Sequence, residues 1–501
     1  MRKSLIITCI AVAVMVNIAF SQVANNKKPF NIVFILSDDH RFDFMGFTGK
    51  VPGLETPVMD FMAKNGAYLK NAFVTTSLCS PSRASILTGQ YAHTHTIVDN
   101  NAPMPEGLKF FPQYLQEHGY QTAFMGKWHM GDTDDLPQPG FNKWISFKGQ
   151  GVYYSPVFNI DGKQIKQPED SYTTDLLTNY AVDFIHKRDK NKPFMLYLSH
   201  KGVHADFEPA KRHAGKYKNM EVISPPSMYI TATDSSKKYG RITEPQTKLN
   251  KADIPLWVRK QRNSWHGVDY MYDGGIDFID FYRRYNETLL SVDESIAQVM
   301  AELKKEGLDK NTLVIYMGDN GFQFGEHGLI DKRDLYEASI RVPMLAYAPG
   351  LIKPGTVINE MIENIDVAPT LLELAGIKKP EQIQGDSFLN LLSGKKTAWR
   401  DKIFYEYYWE WAFPQTPTMF GVRTNQYKYI FNHGVWDANE LYDIKNDPEE
   451  MNNLIRDPKY AEIAGDLKKQ MWDWLEHTGG MQIPLKRVNE KRIDHLYRGT
   501  Y

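Results

Sequence analysis

Four apolar runs, each breaking off into polar residues, constrain the fold of this chain most. They are NIVFILSDDH from Asn31, TAFMGKWHMGD from Thr122, PFMLYLSHKGVH from Pro193 and TLVIYMGDNG from Thr312. A strand covered on both faces reads as a continuous apolar run, because neither side meets water. Helical patterns lie between the runs. TTDLLTNYAVDFIH (173–186) and the stretch from Ile276 to Leu303, closed by Gly307, carry apolar residues at helical spacing. Strands alternating with helices predict an α/β fold, with a large, mostly parallel sheet sandwiched by helices. In such sheets ligands bind beyond the carboxyl ends of the strands. The polar endings here are Asp38–Asp39, Lys127 with His129, His204, and Asp319–Asn320. One such ending reads as a cap or a turn. Four on one sheet edge read as a site.

Length and charge bound the rest. At 501 residues the chain exceeds one ordinary domain, so a large catalytic domain at 29–385 and a smaller one at 386–501 are expected. The 59 Lys+Arg balance 60 Asp+Glu, which gives no global pull towards nucleic acid or an anionic membrane. The N-terminal MRKSLIITCIAVAVMVNIAFSQ has a short positive start, a short apolar run and small residues at cleavage spacing. Residues 1–21 are therefore expected to be a signal peptide that leaves no membrane span, and the protein to be secreted, in a bacterium to the periplasm. Residues 205–270, polar and rich in Lys, Pro and Ser, read as a long insertion over the sheet edge.

Signal removal takes Cys9 away and leaves Cys79 alone, so no intramolecular disulfide forms. A free cysteine is commonly a small buried hydrophobe. Its neighbours Ser80, Pro81, Ser82 and Arg83 are a poor wall for an apolar pocket. Pro81 suits the first turn of a helix that runs on through ASILTG. That places Cys79 at a helix N-terminus, where backbone N–H groups favour negative charge, with Arg83 one turn on.

Asp38, Asp39, Asp319 and Asn320 are all oxygen donors. Hard oxygen clusters suit Ca²⁺ or Mg²⁺ rather than Zn²⁺, and several protein oxygens with little room for water favour Ca²⁺. Arg83, Lys127, His129, His204 and Lys332 supply cations that, with the metal, suit a sulfate or phosphate oxyanion. Each alone has an ordinary surface or loop reading. Their convergence on one edge carries the functional one.

Cys79-Ser80-Pro81-Ser82-Arg83 followed by Leu87-Thr88-Gly89 resembles the signature of the type I sulfatases. Five further stretches resemble that family in order: NIVFILSDDHR, GKWHMGD, SHKGVHADFEPA, MGDNGFQFGEHGLIDKRDLYEASIRVP and DVAPTLLELAGI. The resemblance implies an alkaline-phosphatase-like sulfatase fold with a smaller C-terminal α+β domain. That domain would hold a short antiparallel sheet and a final helix near 459–476. It implies that a sulfatase-maturating enzyme oxidises Cys79 to Cα-formylglycine, which binds Ca²⁺ together with Asp38, Asp39, Asp319 and Asn320. Arg83 would steady the formylglycine, while Lys127, His204 and Lys332 hold the sulfate and help protonate the leaving alcohol. His129 would take a proton when sulfate is expelled. One hydroxyl of the hydrated aldehyde attacks sulfur, and the second expels sulfate and regenerates the aldehyde.

Within the family, DKRDLYEASIRVPMLAYAPG and the segment from Tyr405 to Glu450 resemble the bacterial N-acetylglucosamine-6-sulfatases. The implied substrate is a sulfated oligosaccharide or glycosaminoglycan, with the 6-O-sulfate of N-acetylglucosamine in mucin or heparin-type chains as the ester cleaved. Trp409, Trp411, His433 and Trp436 are candidates to frame a sugar ring, or else core residues of the small domain. The alternatives are a sulfatase for another carbohydrate O-sulfate and a formylglycine-dependent phosphate or phosphonate esterase. A glycan-binding protein with a dead site would not need Cys79.

Overall fold

The structure, a computed structural model, describes residues 29–131, 134–231 and 253–484. The expected signal peptide and part of the 205–270 insertion lie outside these residues. All four apolar runs are strands: β1 (Asn31–Ser37), β3 (Gln121–Lys127), β7 (Phe194–Ser199) and β8 (Thr312–Gly318). They lie side by side in the order β8-β1-β7-β3, all parallel, at the centre of a ten-stranded sheet. On one flank, β11 (Met344–Tyr347) runs antiparallel between β8 and β2 (Ala67–Phe73), and β12 (Thr356–Glu363) closes the edge. On the other flank β4 (Lys143–Phe147) continues the parallel set, and the hairpin β5 (Val157–Ile160) and β6 (Lys163–Lys166) runs against it. A two-stranded ribbon, β9 (Gln323–Phe324) and β10 (Ile330–Asp331), follows β8.

Alternate side chains of a strand face opposite sides, and β1 sorts its residues accordingly. Ile32, Phe34 and Leu36 belong to one apolar core, together with Ile86 and Leu87 of the helix Cys79–Thr88 and Leu371 of the helix Val367–Leu374. Val33 and Ile35 belong to the other, with Leu177 of the helix Thr173–Lys187 and Leu289 of the helix Phe278–Lys305. Each fully buried side chain of this size contributes on the order of 1.5–3 kcal/mol. The double cover explains why these strands carry no polar alternation. It also buries Asn286 inside the long helix, so Asn286-Glu287-Thr288, which has the Asn-X-Thr pattern of a glycosylation acceptor, is closed off.

The described part of the insertion is less irregular than its composition predicts. It holds the short helix Leu256–Gln261, and Arg262 is buried in an ion pair with Asp269 at 2.9 Å. The C-terminal unit is an antiparallel sheet of β13 (Lys402–Tyr407), β14 (Thr418–Thr424), β15 (Tyr427–His433) and β16 (Glu440–Asp443). The helix Ala461–Thr478 buries Leu467, Met471, Trp474 and Leu475 against it. Among the described residues no helix is long and apolar enough to cross a membrane.

Candidate active site

The parallel strands stop together and their loops are stitched to one another. Asp319 N–H donates to the Ser37 carbonyl at 2.9 Å, Asp38 N–H to Gly202 at 3.0 Å and Val203 N–H back to Asp38 at 2.8 Å. This fixes the ends of β1, β7 and β8 as one rigid edge. At the end of β3, Gly126 has φ +122°, and a Cβ there would stand 1.7 Å from the Ser199 carbonyl oxygen. Only glycine admits that approach, which delivers Lys127 to the same edge.

Cys79 reaches this edge from the other direction. Leu78 is extended, the helix begins at Cys79 with Pro81 in its first turn, and Ser80 N–H donates to Asn100 Oδ1 at 3.1 Å. Gly89 ends the helix at φ +68°, where a Cβ would stand 2.7 Å from Ile383. All ten residues of this helix are buried. The cysteine is therefore buried after all, but among charges rather than in an apolar pocket: its Sγ lies 3.4 Å from Asp38 Oδ1 and 3.9 Å from Asp39 Oδ1. Burial and the Asp38 carboxylate push the thiol well above its ordinary range. As a cysteine it stays un-ionised, a poor nucleophile.

The acids and cations interlock around it. Asp38, Asp39 and Asp319 offer carboxylate oxygens within 4.8 Å of one another, all buried. Asn320 donates to Asp39 Oδ1 at 2.7 Å, and its own Oδ1 is buried with no hydrogen-bond partner among the described residues. Burial, with Asp38 and Asp319 adding their repulsion, pushes the Asp39 carboxyl up to about 7 against the pull of Lys332. Asp319 rises to about 6, again through burial and Asp38. Burial works the same way on Asp38, but Lys127 and Arg83 hold it well below the usual range. Lys127 pairs with Asp38 and donates to Gln150 Oε1 at 2.6 Å. Lys332 donates to both oxygens of Asp39 at 2.5 and 2.6 Å. Arg83 places Nε 2.9 Å and Nη2 2.8 Å from Asp319 Oδ2, and donates through Nη1 to the Lys127 carbonyl and Ser199 Oγ at 2.7 and 2.6 Å.

The two histidines flank this cluster. Burial and the nearby Lys127 hold both His129 and His204 well below their ordinary range, so both are neutral. His129 has φ +56° and a buried Nδ1 with no hydrogen-bond partner among the described residues. His204 donates from Nδ1 to the Ala205 carbonyl at 2.5 Å, leaving Nε2 towards Asp39 at 3.8 Å. Asp38, Asp39, Cys79, Arg83, Lys127, His129, His204, Asp319, Asn320 and Lys332 thus meet in one place.

The aromatic candidates divide. Trp409 and Trp411 are partly exposed and flank Glu410, which accepts from Arg333 Nε at 2.9 Å, next in the chain to Lys332. Trp436 projects fully into solvent. His433 is half-buried at the end of β15 between the rings of Phe420 and Phe431, in the packing of the small sheet. The sequence alone did not single out Gln150 and Ser199. Ser199 lies within the SHKGVH stretch already singled out, whereas nothing marks Gln150 in its Gly-Gln-Gly loop.

A closed sheet edge with three buried carboxylates, an amide oxygen and a ring of cations is built for an anionic ester, and comparison with known proteins says which. The sulfatase family profile matches residues 30–377, and a profile described as N-sulphoglucosamine sulphohydrolase, C-terminal, matches residues 325–477. The chain belongs to the sulfatase family and is a sulfuric ester hydrolase. It is similar to an N-acetylglucosamine-6-O-sulfatase of Bacteroides thetaiotaomicron, 33% identical over 95% of this chain and 91% of that one. A human N-acetylglucosamine-6-sulfatase is 30% identical over 80% of this chain and 71% of its own. A solved structure of a protein in complex with its substrate D-glucosamine-2-N,6-O-disulfate is 31% identical, covers 92% of this chain and 100% of that chain, and has a TM-score of 0.78.

Proposed function

We propose that this enzyme removes the 6-O-sulfate of glucosamine residues, N-acetylated or N-sulfated, in mucin or heparin-type glycans. The observation that carries this reading is the near full-length similarity to an N-acetylglucosamine-6-O-sulfatase, joined to a relative whose bound substrate is a 6-O-sulfated glucosamine. The division into a catalytic domain to residue 385 and a C-terminal domain beyond it, and secretion to the periplasm, belong to the same proposal.

Asp38, Asp39, Asp319 and Asn320 would hold a divalent cation, with Ca²⁺ the best fit to an all-oxygen set. The unpartnered Oδ1 of Asn320 and the raised Asp39 and Asp319 carboxyls support this, since such a cluster lacks positive charge. Bound there, the metal would polarise a sulfate oxygen and lower the proton affinity of a hydroxyl at position 79. Formylglycine at that position would supply, when hydrated, one hydroxyl to attack sulfur and another to release sulfate. The un-ionised thiol supports a precursor role for Cys79.

The remaining work falls to side chains. Lys127 and Lys332 hold the sulfate oxygens, and Lys332 keeps its proton because Asp331 and Asp39 outweigh the effect of burial. His204 faces the leaving oxygen beside Lys332. His129, neutral, accepts the proton lost when sulfate is expelled. Arg83 orients residue 79 through Asp319 and the strand ends. Trp409 and Trp411 frame the sugar.

The first measurement is the mass of the peptide containing residue 79 from active enzyme, together with turnover of a panel of 6-, 4-, 3- and 2-sulfated sugars. Replacement of the thiol by an aldehyde and selective release of 6-O-sulfate are expected. An unmodified cysteine in active enzyme sinks the mechanism, and selective turnover of another position sinks the substrate.

A further inference from the structure

The cations at this edge are not equivalent. Lys127 lies on Asp38, Lys332 on Asp39 and Arg83 on Asp319. Lys201 is a fourth buried cation, only 5% exposed, and among the described residues no carboxylate lies within 4.0 Å of its ammonium. Its Nζ rests instead over the ring of Tyr153, 4.6 Å from the centroid. Tyr153 is itself fixed, donating its hydroxyl to the His204 carbonyl at 2.7 Å. The lysine is thus held by an aromatic face next to a residue of the sulfate pocket.

A buried ammonium is retained at a cost unless it is paired, and a ring face compensates only part of that cost. Burial, with Lys127 adding its repulsion, pulls Lys201 down to about 8, as expected of a cation short of counter-charge. The charges acting on it are Lys127, Asp38, Asp39 and the exposed Asp206. In the chain Lys201 follows the end of β7, between Ser199, which accepts from Arg83, and His204.

We propose that Lys201, seated on Tyr153, binds a second anionic group, sulfate or carboxylate, that the substrate carries beside the scissile sulfate. The inference rests on the glucosamine-6-sulfate reading and adds a preference for doubly charged sugars. A substrate with one sulfate satisfies Lys127 and Lys332 and leaves Lys201 unpaired. A disulfated one supplies the missing partner.

The test compares N-acetylglucosamine 6-sulfate with glucosamine 2-N,6-O-disulfate on wild type, Lys201→Met and Lys201→Arg, with thermal unfolding of each protein. Wild type should prefer the disulfate. Lys201→Met should raise its KM by roughly tenfold or more, since a charge-assisted hydrogen bond is lost, with kcat nearly unchanged and the monosulfate little affected. Lys201→Arg should restore most of the preference. Equal losses of kcat/KM on both sugars, or no loss on either, overturn the assignment, as does a variant that only melts lower. Wild type inert on both sugars overturns the glucosamine-6-sulfate reading, and this inference with it.

Discussion

Lys332 spreads its ammonium across both carboxylate oxygens of Asp39, at 2.5 and 2.6 Å, while Lys127 takes Asp38. The two lysines proposed to hold sulfate are thus engaged with two of the acids proposed to hold the metal. A divalent cation at the acids would compete with the lysines for the same oxygens and free them for substrate. Ca²⁺ should therefore stabilise the enzyme as well as activate it, by about 2.7 kcal/mol at a hundredfold excess over Kd. Chelation should lower the unfolding temperature and abolish turnover, and added Ca²⁺ should restore both. Asp39→Asn should lose the Ca²⁺-dependent shift. A chelated enzyme that keeps its activity and its unfolding temperature would refute the metal site.

Arg83 and Asp319 are joined through two guanidinium nitrogens, at 2.9 and 2.8 Å, with both side chains out of reach of solvent. Removing one partner of a buried pair leaves the other charge uncompensated, which costs about 3–5 kcal/mol. Arg83→Ala should therefore be strongly destabilised. Arg83→Lys keeps the charge but not the fork that also spans the Lys127 carbonyl and Ser199 Oγ. It should fold, with kcat down by about a hundredfold, the size of a lost oriented donor, and KM little changed. Denaturant melts and steady-state kinetics separate the two variants. A fully active Arg83→Lys would show that the fork positions nothing.

The four central strands were legible because double burial removes all polar alternation, and their endings were legible because Asp, Lys, His and Asn are out of place after such runs. Pro81 marked the first turn of the helix that carries Cys79, and Gly89 ends it. The outer strands left weaker traces. β6, KQIK, is exposed along its whole length, and β11 is four residues long and antiparallel. Lys201 was hidden by its neighbours: in SHKGVH the eye goes to the histidines, and nothing local says that Tyr153, 48 positions earlier, will lie beneath it. Contacts of that kind follow from the sheet order, which no stretch of the sequence carries alone.

Trp409 and Trp411 bracket Glu410, which Arg333 ties to the loop carrying Lys332. If they frame the sugar, the loss of one ring should weaken binding by about two- to tenfold, the range of a single aromatic contact. Trp411→Ala should raise KM for a sulfated oligosaccharide, with kcat on a 6-sulfated monosaccharide within twofold of wild type. Trp436→Ala, at a side chain fully out in solvent, serves as the comparison. Equal KM values for wild type and both variants would assign the exposed rings no part in catalysis.

His93 couples the segment after the helix that carries Cys79 to the small sheet and the terminal helix. Its Nδ1 lies 2.8 Å from Glu406 Oε2 on β13, its backbone N–H donates to Glu406 Oε1 at 3.1 Å, and its Nε2 lies 3.2 Å from the Thr478 carbonyl. Burial alone would lower the imidazole, but the Glu406 carboxylate outweighs it and holds His93 above its ordinary range. A group whose folded value is raised contributes stability that is complete below the unfolded value, about 6.5, and is lost as pH climbs through the folded value. His93→Gln keeps a donor but not the charge. It should cost about 3 kcal/mol at mildly acid pH and progressively less in alkali. Denaturant unfolding of wild type and variant across the pH range measures this difference directly. A difference that stays constant with pH would mean that His93 joins the units as a neutral hydrogen-bonded ring.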